Sequence, residues 1–346
     1  MIEHVELLLL IFIYFYFFVL LYDFGVLVRK KNEKKRNEKK RKRIFKLINN
    51  SDNPNNLKKL ERYLRNINNL YILCSLMEEG NSNIVTVLNE SKFNSVFISL
   101  MYTYKRKSTI ERAYFSYVLS YIVIDDDRVI EFLKTCLYDK SVYSTENSLN
   151  ALYKIGNVDS IIAAYKIISN NNLPYNHRLL TDGMNNITLI DLDDFYKKIV
   201  ANFYYFNSEL KIGLVNYFRE KKYTLCKELI YKDLLENRQE KEITIAMIRY
   251  FTKIQYVDAY KLFIERLNNN FYKDFEYDVV MIQTLRNYDS KETLLLLTKL
   301  LKSSNYYVRL NSAKVLKYLV KDLREIDIQD DNFAKDMLIY MMSQEG

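Results

Sequence analysis

Residues 290–319 read SKETLLLLTKLLKSSNYYVRLNSAKVLKYL. A Leu-rich segment recurs at helical spacing, a polar turn interrupts it, and Val308 and Arg309 open a second periodic segment carrying Ser312, Leu316 and Leu319. This spacing predicts two helices joined by a short turn. A lone pair of that size cannot bury its apolar stripe, so neighbouring pairs must supply the rest of the core.

Working outward, the same arrangement recurs along the chain. A small or slender residue followed four positions later by an apolar one appears in seven pairs: Ala113 with Tyr117, Ser148 with Leu152, Gly183 with Ile187, Gly213 with Tyr217, Ala246 with Tyr250, Met281 with Leu285, and Ser312 with Leu316. Their first members stand 30 to 35 residues apart, the period of a two-helix repeat. Positions i and i+4 share one helix face, and a small residue there admits a neighbouring helix closely. Met281 is the exception in size.

On these residues the chain resembles the HEAT-repeat family of bacterial type, an armadillo-like class. Residues 290–319 match a complete repeat, with Arg309 at the family's usual arginine position. Residues 126–156, DDRVIEFLKTCLYDKSVYSTENSLNALYKIG, share the layout and end on the Ile155-Gly156 pair of that pattern. In the repeats around Ser148 and Gly183 the arginine position holds Ser144 and Leu179 instead. The resemblance covers about residues 91–320 and implies an α-solenoid; it is specific for architecture and carries almost nothing about activity.

Composition agrees with an all-α chain. Glycine and proline together number only eight in 346 residues, too few for the turns of hairpins and sandwiches. Ser, Asn and Asp must then end the helices as caps. Residues 50–90, with the stripes LKKLERYL and LYILCSLM, read as an irregular leading helical pair, and 321–346 as a polar linker with a capping helix around Phe333 to Met342. Cys74, Cys136 and Cys226 are odd in number, far apart and set in apolar stretches, which suggests buried thiols in a reducing compartment.

The amino terminus is different in kind. After a short tail, 1–6, residues 7–28 form an apolar run interrupted only near its end by Asp23 and Gly25. As a helix it would reach roughly 33 Å, enough for a hydrocarbon core of about 30 Å. Glu3 and Glu6 precede the run and no small-residue cleavage site follows, unlike a signal peptide. The fold class expected is therefore all-α, an N-terminal transmembrane helix followed by a HEAT-like α-solenoid.

The stalk, 29–49, opens with RKKNEKKRNEKKRKR. The cations of this run are Arg29, Lys30, Lys31, Lys34, Lys35, Arg36, Lys39, Lys40, Arg41, Lys42 and Arg43; less Glu33 and Glu38, the run carries the whole formal net charge of +9, and the remainder of the chain is neutral. By the positive-inside rule this flank stays cytoplasmic, which places the N-terminus outside and the repeats inside a single-pass membrane protein. The same cations are candidates for contact with anionic lipid headgroups. No basic groove with stacking aromatics is legible, so nucleic acid is not expected as a partner.

Catalytic chemistry is not suggested. The clusters Asp125-Asp126-Asp127 and Asp191 with Asp193 and Asp194 each precede a predicted helix, where carboxylates cap free N–H groups; Asp330-Asp331 is a third cluster. His4 and His177 have no legible partner for acid–base work. The many tyrosines serve packing or binding surfaces. No metal, cofactor or small-molecule substrate is expected. The expected function is a non-enzymatic scaffold that binds a membrane-associated protein at the cytoplasmic face. By analogy with membrane-bound bacterial repeat proteins, the setting is a cell-envelope or polysaccharide assembly system. An enzyme or lyase built on the solenoid, as some helical-repeat families are, and a lipid-responsive sensor are the alternatives.

Overall fold

Caps set the helix ends. Side chains of Asn53, Asn66, Asn157, Asn176, Asn207, Asn305, Asp126, Asp191, Asp274, Ser108 and Ser290 each accept a backbone N–H at a helix start, and Ser108 with Glu111 forms a reciprocal capping box. Gly156, at φ 76°, ends its helix in the left-handed region, while Lys222, Asn237 and Asn270 hold that conformation without being glycine.

The computed structural model describes residues 2–79, 82–139, 141–171, 175–187, 191–320, 326, 328 and 331–344, without the side chains of 2–13, 82 and 342. Among the described residues it is all-α, with nineteen α-helices, two short 3₁₀ turns and no strand. The chain divides into two compact units, 1–151 and 152–346.

The first unit holds α1 (Ile2–Asn49), α2 (Pro54–Leu64), α3 (Ile67–Glu78), α4 (Ser82–Leu88), α5 (Asn94–Tyr104), α6 (Thr109–Leu119) and α7 (Asp127–Cys136). The division falls inside α8 (Val142–Ile155). Helices α2, α5 and α7 pack in one row and α3 lies on α6 in a second, with α1 laid along α2, α3 and α4. Residues 50–90 thus contain three helices rather than a pair. The seven-residue α4, SNIVTVL, is too short and too β-branched for its helical period to show in sequence.

The second unit continues with α9 (Val158–Asn170), α10 (His177–Met184), α11 (Leu192–Asn202), α12 (Ser208–Glu220), α13 (Lys227–Glu236), α14 (Lys241–Tyr250), α15 (Val257–Asn268), α16 (Phe275–Leu285), α17 (Lys291–Leu300), α18 (Tyr306–Leu319) and α19 (Asn332–Ser343). Helices α10, α12, α14, α16 and α18 stack successively in one row, α13, α15 and α17 in another, and α19 covers α18. The first members of the seven sequence pairs fall on α6, α8, α10, α12, α14, α16 and α18, every second helix. Ile187 lies beyond α10, which ends where Asn185 and Asn186 leave the helix.

Aromatic residues fill both cores. Tyr104 stacks on Phe115 with ring centroids 4.8 Å apart and sends its hydroxyl to the Leu64 carbonyl at 2.8 Å. In the second unit the buried Tyr153 and Tyr165 hydroxyls meet at 3.1 Å. A tyrosine whose one polar atom is paired packs as a large hydrophobe.

Helix α1 runs unbroken through Gly25 into the basic stalk. No helix among the described residues is long and apolar enough to cross a membrane. Of the expected span 7–28, the side chains of 7–13 lie outside the described residues.

Candidate functional site

The expected stalk cations divide into two groups. Arg29, Lys30, Lys31, Lys34, Lys35, Arg36 and Lys39 are exposed along α1. Lys40 and Arg41 are half-buried, and beyond them Ile44 and Ile48 are buried against the first unit. The Arg41 guanidinium donates to the Glu79 carboxylate, at 2.8 Å for one of its two bonds, and Arg43 lies over the Tyr63 ring at 4.7 Å. Lys42 is exposed. The stalk expected over 29–49 is therefore free only to about Lys39. Its last turns belong to the first unit because Ile44 and Ile48, four residues apart, share one apolar face.

A cleft of about 660 Å³ opens where α1 meets α3, with Arg36, Lys40 and Arg41 facing Asn68, Tyr71 and Ser75. Above it, Tyr14, Phe15, Phe17, Phe18, Leu21 and Phe24 are all more than half exposed, and consecutive residues point around the whole helix. No amphipathic face exists there.

In the second unit a groove of about 650 Å³ lies between α16 and α18, ending at the turn after α14. Lys253, Arg286, Lys314 and Lys317 line it with Gln283, Asn311 and Tyr318, none of its lining residues is acidic, and the Lys317 ammonium donates to the Met341 carbonyl at 3.0 Å. Gln283 donates to Asn311 across the two helices at 3.0 Å. The Arg286 guanidinium lies 3.7 Å from the Tyr318 ring centroid, a stacked cation–π pair. Reading the sequence alone misses this groove, since its cations come from three elements. The signal is there, however: Lys253, Arg286 and Lys317 stand five to seven positions after Ala246, Met281 and Ser312, on the repeat's own period.

The remaining chemistry-bearing residues serve structure. Asp126 caps α7 and Asp191 caps α11. Asp331 caps α19, and Asp330 lies outside the described residues. No group of three His, Cys, Asp or Glu able to hold a metal occurs among the described residues. His177 is bridged by Glu209 of α12, whose carboxylate oxygen accepts from the His177 backbone N–H at 2.8 Å and stands 3.0 Å from Nδ1. Glu209 thus satisfies an orphan N–H in the first turn of α10 from the neighbouring helix. Burial pushes the Cys74 and Cys226 thiols up to about 12 and the Cys136 thiol up to about 11, far from thiolate reactivity at neutral pH.

No family model matches the chain, and no curated protein matches it in sequence.

Proposed function

We propose that this chain is a membrane-tethered scaffold. Residues 7–28 anchor it, the exposed cations from Arg29 to Lys39 rest against anionic headgroups at the cytoplasmic face, and the helical pairs of 91–320 form a HEAT-like α-solenoid that holds a membrane-associated partner protein. The observation that carries the anchor is the continuous band of exposed large apolar side chains on α1. An apolar surface that encircles a helix finds no burial in a chain fold of its own, and lipid covers it from all sides. The alternating helix rows within each unit, at the period of the sequence repeat, support the scaffold half of the reading. Tethering raises the effective concentration of a binding surface for partners in the same membrane.

The test is crosslinking and affinity capture from membranes with the full chain beside a form lacking residues 1–28. Recovery of one membrane-associated protein by the anchored form alone supports the scaffold. Recovery of nothing, or of the same soluble protein with both forms, removes it.

A lipid-responsive sensor is favoured by one specific contact. Arg41 belongs to the basic run and is also held by Glu79, so a headgroup phosphate competing for that guanidinium would loosen α1 from α3. Binding to anionic vesicles that is unchanged by Glu79→Gln would exclude this reading.

A further inference from the structure

The groove between α16 and α18 gathers cations from three elements with no acidic residue in its lining. Where lysines of this unit do meet carboxylates, the pairs close the charge: Lys198 with Asp159 at 2.7 Å and Asp194 at 3.0 Å, Lys241 with Asp274 and Glu276. Among the described residues, no carboxylate lies within ion-pair distance of Lys253, Arg286 or Lys314. Arg286 caps the C-terminus of α16 and Lys253 follows that of α14, where a helix end carries about half a negative charge. A full cation exceeds that half charge, and Lys314 sits in the body of α18 away from either end. The groove therefore keeps a net positive field.

We propose that this groove receives an extended acidic peptide segment of the partner protein, its carboxylates shared among Lys253, Arg286 and Lys314. The proposal rests on the reading of the chain as a protein-binding scaffold. Packed helices lie about 8–10 Å apart, and side chains on one side of an extended peptide recur every ~7 Å. Acidic residues two to three apart on a strand would thus meet cations on neighbouring helices. A compact oxyanion needs donors that converge on one point, usually with backbone N–H groups among them; here the cations are exposed and come from three separate elements. Arg286, flattened on the Tyr318 ring, presents a planar fork suited to a carboxylate. Tyr318 is 59% exposed and offers apolar area beside the charge.

The experiment uses the full chain in zwitterionic nanodiscs, with the exposed cations from Arg29 to Lys39 changed to glutamine so that the stalk does not bind the probe. The probe is a fluorescein-labelled nine-residue peptide of alternating Glu and Ala, followed by anisotropy. Saturable binding is expected, weakened at least tenfold by Arg286→Glu with Lys314→Glu and less than twofold by Lys198→Glu. The milder pair Arg286→Gln with Lys314→Gln, which adds no like charge to the fold, is expected to weaken it several-fold. Equal binding to the parent and to both groove variants, or no peptide binding, overturns the proposal. Saturable binding of inorganic pyrophosphate in place of the peptide also overturns it, in favour of a small oxyanion. Capture of an anchored partner that survives Arg286→Glu with Lys314→Glu sinks the groove and leaves the scaffold standing; absence of any anchored partner sinks the scaffold.

Discussion

Gly213 on α12 lies so close to Leu180 on α10 that a Cβ added at Gly213 would stand 3.0 Å from the Leu180 Cβ and 3.2 Å from the His177 carbonyl oxygen. The Thr181 hydroxyl meanwhile donates to the Gly213 carbonyl at 3.1 Å. The missing side chain is what lets two successive helices of one row approach. In an open helix Gly→Ala would gain roughly 0.5–1 kcal/mol. At Gly213 the contact with a Cβ and a backbone oxygen opposes that gain. Gly213→Val is expected to destabilise by about 1–3 kcal/mol in urea unfolding, with part of the loss recovered by adding Leu180→Ala. Gly25→Ala, where nothing lies within 4 Å, serves as the open-helix control.

Lys222 takes φ 53° just after α12, a conformation that costs a non-glycine residue about 1 kcal/mol. Lys222→Gly is therefore expected to raise stability by up to that amount, although glycine gives back some through the entropy of the unfolded chain. Thermal unfolding measures the change, and a lowered midpoint would contradict the account of this helix end.

Asp278 on α16 is half-buried, and its Oδ1 has no hydrogen-bond partner among the described residues. Burial, with the negative charge of Asp274 added, pushes its carboxyl up to about 6. Well below pH ~4 the group is protonated in folded and unfolded chains alike and costs nothing. As pH rises through 6 the folded chain must ionise a half-buried carboxyl that the unfolded chain ionises freely, so this group subtracts stability. Asp278→Asn is expected to stabilise by about 1 kcal/mol at pH 7.5, after discounting for partial exposure, and to lose that advantage as pH falls well below ~4. Equal effects at high and low pH would assign the change to something other than charge.

Arg266 is 4% exposed. Its guanidinium donates to the Leu234 carbonyl at 2.6 Å and to the Tyr272 hydroxyl, and lies over the Phe271 ring at 4.6 Å. Arg266→Met leaves a buried carbonyl without its donor, at a cost of roughly 1–3 kcal/mol. Arg266→Lys keeps the charge but loses the planar fork and should also destabilise. If denaturant titration finds both variants indistinguishable from the parent, this guanidinium does not tie the α13 and α15 turns together.

Residues whose role repeats locally were legible in sequence. The small residues Ser148, Gly213, Ala246 and Ser312 all fall on alternate helices, with close approach seen at Gly213, and Asp126 and Asp191 announce helix starts through a chemistry confined to three residues. Contacts across long separations were not. Glu79 takes Arg41 out of the free stalk from 38 positions away, a pairing with no local signature. Lys253, Arg286 and Lys314 are ordinary surface cations until stacking brings their helices side by side. Short helices were also hidden, as α4 shows, since seven residues hold too few turns for a period.

The most direct test of the tethered scaffold is flotation of the purified full chain with phosphatidylcholine vesicles after a carbonate wash at high pH, beside the form lacking residues 1–28. High pH removes proteins held by charge and leaves those inserted in hydrocarbon. The account predicts that the full chain floats with the vesicles and the truncated form stays at the bottom of the gradient. A full chain that is washed off, or a truncated form that floats equally well, would contradict it.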